Sequence, residues 1–161
     1  MFTQSGIRAL HSWTHERLDL LLDHADTLPP EQFVTKIPGF GMGSVRDQLV
    51  HIFRCEQGWI GRLKYLPVKE LEYEYEEYPT TKQIRETKAR VMAETIAYLD
   101  QLSEAQLNTA LTRLPDGWGG PLQSPGFILH HILTHAFHHK GQIVAMFRLL
   151  GHPIGETDLQ P

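Results

Sequence analysis

The sequence predicts an all-α protein, a bundle of four helices, and three observations predict it. Four segments of about twenty residues carry apolar side chains at three-four spacing, loops rich in proline and glycine separate them, and no stretch keeps the period-two alternation of a half-buried strand. Helices that each own one apolar stripe bury it by packing on one another.

The first helix is expected over about residues 5 to 28. Ile7, Leu10, Leu18, Leu21, Leu22, Ala25 and Leu28 form its stripe, and Pro29-Pro30 stops it. Pro38-Gly39-Phe40-Gly41-Met42-Gly43 is loop. Ser44 then offers an N-cap, with Asp47 placed where a carboxylate suits the positive helix end. The second helix runs from there to about Leu66, its stripe being Val45, Leu49, Ile52, Phe53, Ile60 and Leu63.

Residues 67 to 79 include the acidic, tyrosine-rich run Glu70 to Glu77 and read as a solvated crossover loop, long enough to join helices that are not simple hairpin neighbours. Thr80 and Gln83 have the spacing of a capping box and open a third helix carrying Ile84, Val91, Thr95, Tyr98 and Leu102. Between Ser103 and Gln123 the chain turns polar, and Pro115 to Pro121 is a turn that joins two short strands or simply loops. Ser124-Pro125 launches the fourth helix, which Gly151 and Pro153 end.

At 161 residues the chain is expected to be one domain spanning 1–161, with a core large enough to need no staple. No apolar run reaches the roughly 20 residues of a membrane span, and the N-terminal residues lack the pattern of a signal peptide. The expected location is therefore cytoplasmic. A net charge of −4 with scattered Lys and Arg gives no footprint for nucleic acid. Cys55 is the only cysteine, which excludes a disulfide within the chain and zinc sites built on cysteine pairs.

The fourth helix holds the chemistry. Ile128, Ile132, His135, His139, Ile143, Met146 and Leu150 follow one stripe, so two histidines a turn apart stand on the face turned to the core. A lone core histidine is usually a hydrogen-bonded packing residue, but a pair at this spacing points to a metal ion. His131, one turn before His135, is a candidate ligand or a hydrogen-bond donor to one. His138 reads as a rim residue. His130, His152, His11, His15 and His24 read as solvated, because the His11/His15 pair lacks an apolar setting. Cys55 reads as inert packing, and Glu56 as either a general base or acceptor beside the site or an exposed helix residue.

The pattern His51-Ile-Phe-Arg-Cys-Glu56-Gln-Gly-Trp59, followed by His131-xxx-His135-xxx-His139-Lys-Gly-Gln, resembles the DinB/YfiT-like family of metalloenzymes over nearly the whole chain. The resemblance implies a four-helix bundle of the DinB type and a metal site of three histidines, His51, His135 and His139. Lys140 stands where the family usually has arginine, which keeps the charge and loses the planar fork. By periodicity His51 only flanks the stripe of its helix, sharing a face with Ser44, Gln48, Cys55 and Gly58, so its role comes from the resemblance.

Three imidazoles with a fourth position open form a catalytic rather than a structural zinc site. The donors suit zinc or nickel and admit iron or copper. Competing chemistries lack their motifs: there is no HExxH, no Glu-x-x-His and no Gly-x-Ser-x-Gly. The resembled superfamily includes thiol-dependent S-transferases. The expectation is thus a metal-dependent enzyme acting on small molecules, a thiol S-transferase using a low-molecular-weight thiol. The alternatives are a metal-assisted hydrolase and a non-catalytic metal-binding stress protein. A homodimer is expected, since resembled members commonly pair through bundle helices.

Overall fold

The computed structural model describes residues 1–66, 74–112 and 121–159. Among these the regular structure is all helical: α1 Gln4–Ala25, α2 Pro30–Val34, α3 Val45–Leu63, a 3₁₀ turn Tyr75–Glu77, α4 Thr81–Asp100, α5 Glu104–Asn108 and α6 Pro125–Leu149. The four long helices are those the periodicity predicts. The two short ones are additions: Pro30, expected only to stop α1, starts α2, and Ser103 with Gln106 forms a full capping box for α5.

The caps follow local chemistry. Ser44 accepts from the Asp47 amide at 3.1 Å, and Ser124 accepts from the Phe127 amide at 3.2 Å. Thr80 departs from expectation: its hydroxyl donates to the Gln83 side chain at 2.6 Å instead of capping α4. At the end of α6, Gly151 (φ 85°) bonds back to Arg148 and His152 to Phe147, the paired bonds of a Schellman stop.

Helix α1 packs against α4 and α6, and α3 packs against the same two, so α1 and α3 face each other across the bundle diagonal. Two apolar clusters fill its ends. One gathers Leu18, Leu21 and Leu22 of α1, Val45, Leu49 and Phe53 of α3, Ile84 of α4, and Ile143, Met146 and Phe147 of α6. The other gathers Ile7, Ile60, Leu63, Leu99, Leu107, Ile128 and Ile132.

Chain direction follows from this split. Helices α1 and α6 run from the second cluster to the first, while α3 and α4 run the opposite way. Two consecutive parallel helices need a connection that returns along the bundle, and residues 64–80 supply the expected crossover. Its described end is not the solvated loop expected from sequence, for Tyr78 is buried and Tyr75 half-buried against the first cluster. The Glu70–Tyr73 part of the acidic run and the Pro115–Gly120 turn lie outside the described residues. Beside that turn a single backbone bond joins Leu111 to Gln123 at 3.0 Å, and no strand forms among the described residues.

Every long helix also buries polar side chains: His11, Thr14 and His15 on α1, Glu56 on α3, Thr95 on α4 and His139 on α6, with His135 half-buried one turn before it.

Candidate metal centre

Helix α3 buries two faces because it packs against both α4 and α6. Its stripe residues fill the core, and the flanking face with Ser44, Gln48, His51 and Cys55 turns to α6. Ser44 and Gln48 are fully buried there, while His51 and Cys55 are half-buried. His51 thereby meets the histidine pair of α6. Its ring centroid lies 5.1 Å from that of His135 and 4.6 Å from that of His139, and the latter two are 4.4 Å apart. The rings of the three residues named by the family resemblance thus lie together between α3 and α6.

Hydrogen bonding sets the tautomer of His139. Gln48 spends its amide hydrogens on the Met42 carbonyl at 2.8 Å and on Gln142 Oε1 at 2.7 Å. Its remaining oxygen faces His139 Nδ1 at 2.5 Å, so Nδ1–H donates and Nε2 carries the lone pair. Gln142 in turn donates to His138 Nε2 at 2.7 Å, which ties the exposed His138 at the rim to the buried amide. His139 Nε2 points at His135 Nε2, 3.1 Å away. Two nitrogens bound tetrahedrally to one zinc, with bonds of about 2.0–2.1 Å, stand about 3.3 Å apart. The pair therefore fits a shared ion, and an acceptor oxygen orienting the ring from its other nitrogen, here that of Gln48, is the kind of support a histidine ligand has.

Electrostatics keep these rings neutral. Burial, followed by repulsion from His135, His51 and His138, pushes His139 down to about 3. Burial and then His51, His131 and His138 push His135 down to about 4. Burial also lowers His51. Neutral imidazoles are the metal-binding form, so at pH 7 none of the three must shed a proton to bind.

The surroundings depart from expectation at several residues. Cys55, read as inert packing, holds its sulfur 3.4 Å from His51 Nε2, and one ligand atom each from His51, Cys55 and His135 lie within 4.8 Å of one another. His131 is exposed, edge-on to Trp59 at 5.4 Å and 6.0 Å from His135 between centroids. Tyr75 of the 3₁₀ turn lies half-buried against the first apolar cluster. Burial first, then the charges of Asp47 and Cys55, raise its pKa, so its phenol keeps its proton. Lys140 is buried and pairs with Asp158 at 3.0 Å.

The expectation that His11 and His15 are solvated is corrected outright, for both are only 2% exposed. Glu56, which sequence left between exposed and functional, is 3% exposed and reaches across the bundle diagonal to both. His11 Nε2 donates to Glu56 Oε1 at 2.7 Å and His15 Nε2 to Oε2 at 3.0 Å, while the Thr95 hydroxyl donates to Oε1 at 2.6 Å. Burial alone would raise the Glu56 pKa, but the two imidazole donors and their charges outweigh it and hold the carboxyl well below its usual range. Burial lowers His15 despite its bond to Glu56. His24 is also half-buried, not solvated: its Nε2–H donates to the His152 carbonyl at 2.8 Å and its ring meets Phe147 edge-on at 4.6 Å.

His11, His15 and Glu56 also bring three ligand atoms within 4.8 Å of one another. Proton placement separates the two clusters. Freeing His15 Nε2 for a metal would move its hydrogen to Nδ1, which is buried without a partner, whereas His139 Nδ1 has Gln48 waiting. The diagonal triad is therefore a clamped carboxylate, and the α3/α6 cluster is the candidate metal centre.

Comparison with known proteins agrees with this architecture. The family model described as the DinB family matches residues 1–160. Among solved structures, a conserved protein of a locus from Enterococcus faecalis is similar at 21% identity and a TM-score of 0.67, over 93% of this chain and 98% of that one. A DinB-like protein from Bacillus subtilis is similar at 18% identity and a TM-score of 0.60, over 91% of this chain and 94% of that one. Among curated proteins none matches.

Proposed function

This chain belongs to the DinB family, and from that premise and the converging imidazoles we propose that it is a metal-dependent enzyme of small-molecule chemistry, with one divalent ion held by His51, His135 and His139. The observation that carries the proposal is the pairing of His139 Nε2 with His135 Nε2 at 3.1 Å while Gln48 holds the opposite nitrogen of His139. Zinc or nickel suits three nitrogen donors best, and iron is admissible. When bound, such an ion polarises a substrate oxygen or lowers the pKa of a thiol or water, so that the deprotonated nucleophile is available near neutral pH.

We assign the reaction to thiol S-transfer, with a low-molecular-weight thiol and a small electrophile as substrates. Support comes from a three-nitrogen site suited to thiolate, the absence of hydrolase motifs, and the transferases of the resembled superfamily. Within the chain, His51, His135 and His139 would hold the ion and Gln48 orients His139. No helix among the described residues is long and apolar enough to cross a membrane, and the cytoplasm is the location that goes with a thiol substrate. A homodimer belongs to the proposal: Leu10, Trp13 and Phe127 are exposed apolar side chains on α1 and α6, and light scattering should return twice the chain mass.

The test is a conjugation screen on metal-loaded, tag-free protein against its metal-free form, with a panel of cellular thiols and one electrophile. Faster conjugation by the loaded form is expected. Hydrolysis of esters or amides without conjugation would move the assignment to a metal-assisted hydrolase, and silence in both assays would leave a non-catalytic metal-binding protein.

A further inference from the structure

The face of α3 that carries His51 runs on past the histidine cluster. Cys55, Trp59 and Arg62 follow His51 at three-four spacing, and His131 precedes His135 by one turn on α6. Because α3 and α6 are antiparallel, both extensions lead to the same end of the bundle. Side chains lean toward the N-terminus of their own helix, so Trp59 and Arg62 lean back toward the cluster and His131 leans out toward them. The contacts agree with this: His131 meets Trp59 edge-on at 5.4 Å between centroids and stands 6.0 Å from His135, and the Arg62 guanidinium lies 5.0 Å over the Trp59 ring. A row of touching side chains thus joins the three histidines to Arg62. Arg8, Arg46, Arg85 and Arg90 each pair with a carboxylate, whereas Arg62 has no carboxylate partner among the described residues, and its Nε–H is buried without an acceptor.

We propose that Arg62, stacked on Trp59 and flanked by His131, is a carboxylate subsite, and that the thiol taken up at the metal centre carries a carboxylate at its far end. The inference deepens the reading above and rests on it for the thiol. A guanidinium keeps its charge in a protein, and a buried N–H on it costs stability until an acceptor arrives. The edge made by Nε and one Nη meets a carboxylate through two parallel bonds, while the indole holds the guanidinium plane in place. His131, exposed against the same indole, offers a further donor. Arg62 lies about 16 Å along the α3 axis from His51, and its lean back toward the cluster brings a bound carboxylate to on the order of 10 Å from the ion. Short thiols cannot span that distance, so the subsite selects by length as well as by charge.

Nitrogen NMR on the metal-free full chain tests the subsite without the metal or the reaction. Hexanoate should shift the Arg62 Nε–H and Trp59 indole N–H cross-peaks saturably, and hexan-1-ol should not. Arg62→Gln should abolish the Trp59 shift, and Arg17→Gln, which removes another buried and unpartnered Nε–H on α1, should leave it. Wild-type peaks that ignore hexanoate, or a Trp59 shift that survives Arg62→Gln, would overturn the subsite; peaks that answer inorganic phosphate and ignore hexanoate would overturn its assignment to carboxylates. Cobalt-loaded protein then tests the link to the centre through its thiolate-to-cobalt band. There 8-mercaptooctanoate should bind about tenfold tighter than 8-mercaptooctan-1-ol in the wild type, and equally in Arg62→Gln. The short pair 3-mercaptopropionate and 3-mercaptopropan-1-ol should not differ. Equal affinities for the long pair in the wild type would overturn the link. If no thiol of either kind gives a band, the thiol reading of the centre falls, and the metal-free titration decides the carboxylate subsite by itself.

Discussion

Replacing Glu56 by alanine removes the acceptor from three buried donors at once: His11 Nε2, His15 Nε2 and the Thr95 hydroxyl. A buried donor left unsatisfied costs about 1–3 kcal/mol, and breaking a buried charged pair from one side costs about 3–5 kcal/mol. Water entering the vacated space and rotation of the Thr95 hydroxyl relieve part of the sum, so the expected loss for Glu56→Ala is about 3–5 kcal/mol, against a typical total stability of about 5–15 kcal/mol. With a slope of about 2 kcal/mol per molar in urea, the unfolding midpoint at pH 7.5 should fall by about 2 M, followed by helical circular dichroism. Glu56→Gln should lose less, because its amide oxygen still accepts one of the donors. The carboxyl is held below its ordinary 4.5, so the unfolded chain binds a proton that the folded chain refuses. That contribution is full above about pH 4.5 and is lost as pH falls further, and the acid limb below pH 4.5 should be shallower in Glu56→Gln. A Glu56→Ala protein that unfolds at the wild-type midpoint would refute the clamped-carboxylate account.

Gln48→Leu should weaken metal binding by about 10–100-fold while leaving the helix content unchanged, because His139 loses the acceptor that fixes its ring; competition with a chromophoric chelator measures it, and an unchanged affinity would remove Gln48 from the site. Metal retention should persist as pH drops through 6, where free imidazole would already be protonated, and fail toward pH 4, since burial lowers all three rings and brings His135 to about 4. Equilibrium dialysis from pH 7 to 3.5 checks this, and complete loss by pH 6 would contradict it. The same shifts make the metal-free protein lose stability from about pH 6.5 downward, because the unfolded chain takes up protons that the buried rings refuse, and denaturant midpoints across that range read the slope.

The four long helices were legible because their apolar residues keep one phase, and the pair His135/His139 because it sits in that phase. The polar layer of α1 and α3 follows the same phase and was missed by counting apolar residues alone. On α1, His11, Thr14 and His15 fill the gap between Ile7 and Leu18. On α3, Glu56 fills the gap between Phe53 and Ile60. A stripe interrupted by polar residues on two helices signals that the interruptions face each other, since neither can remain buried alone. His51 and Cys55 were harder, because they lie on a second buried face, and only the packing of α3 between α4 and α6 reveals that α3 has two. Leu10 shows the converse: apolar and near the stripe, it is exposed on the outer side of α1.

The most direct test of the central claim is the metal content of tag-free protein, measured by plasma mass spectrometry beside the His135→Ala/His139→Ala variant and His138→Ala. The structure predicts one divalent ion per chain in the wild type and in His138→Ala, whose ring sits at the exposed rim, and almost none in the double variant. A double variant that retains a full equivalent of metal would contradict it.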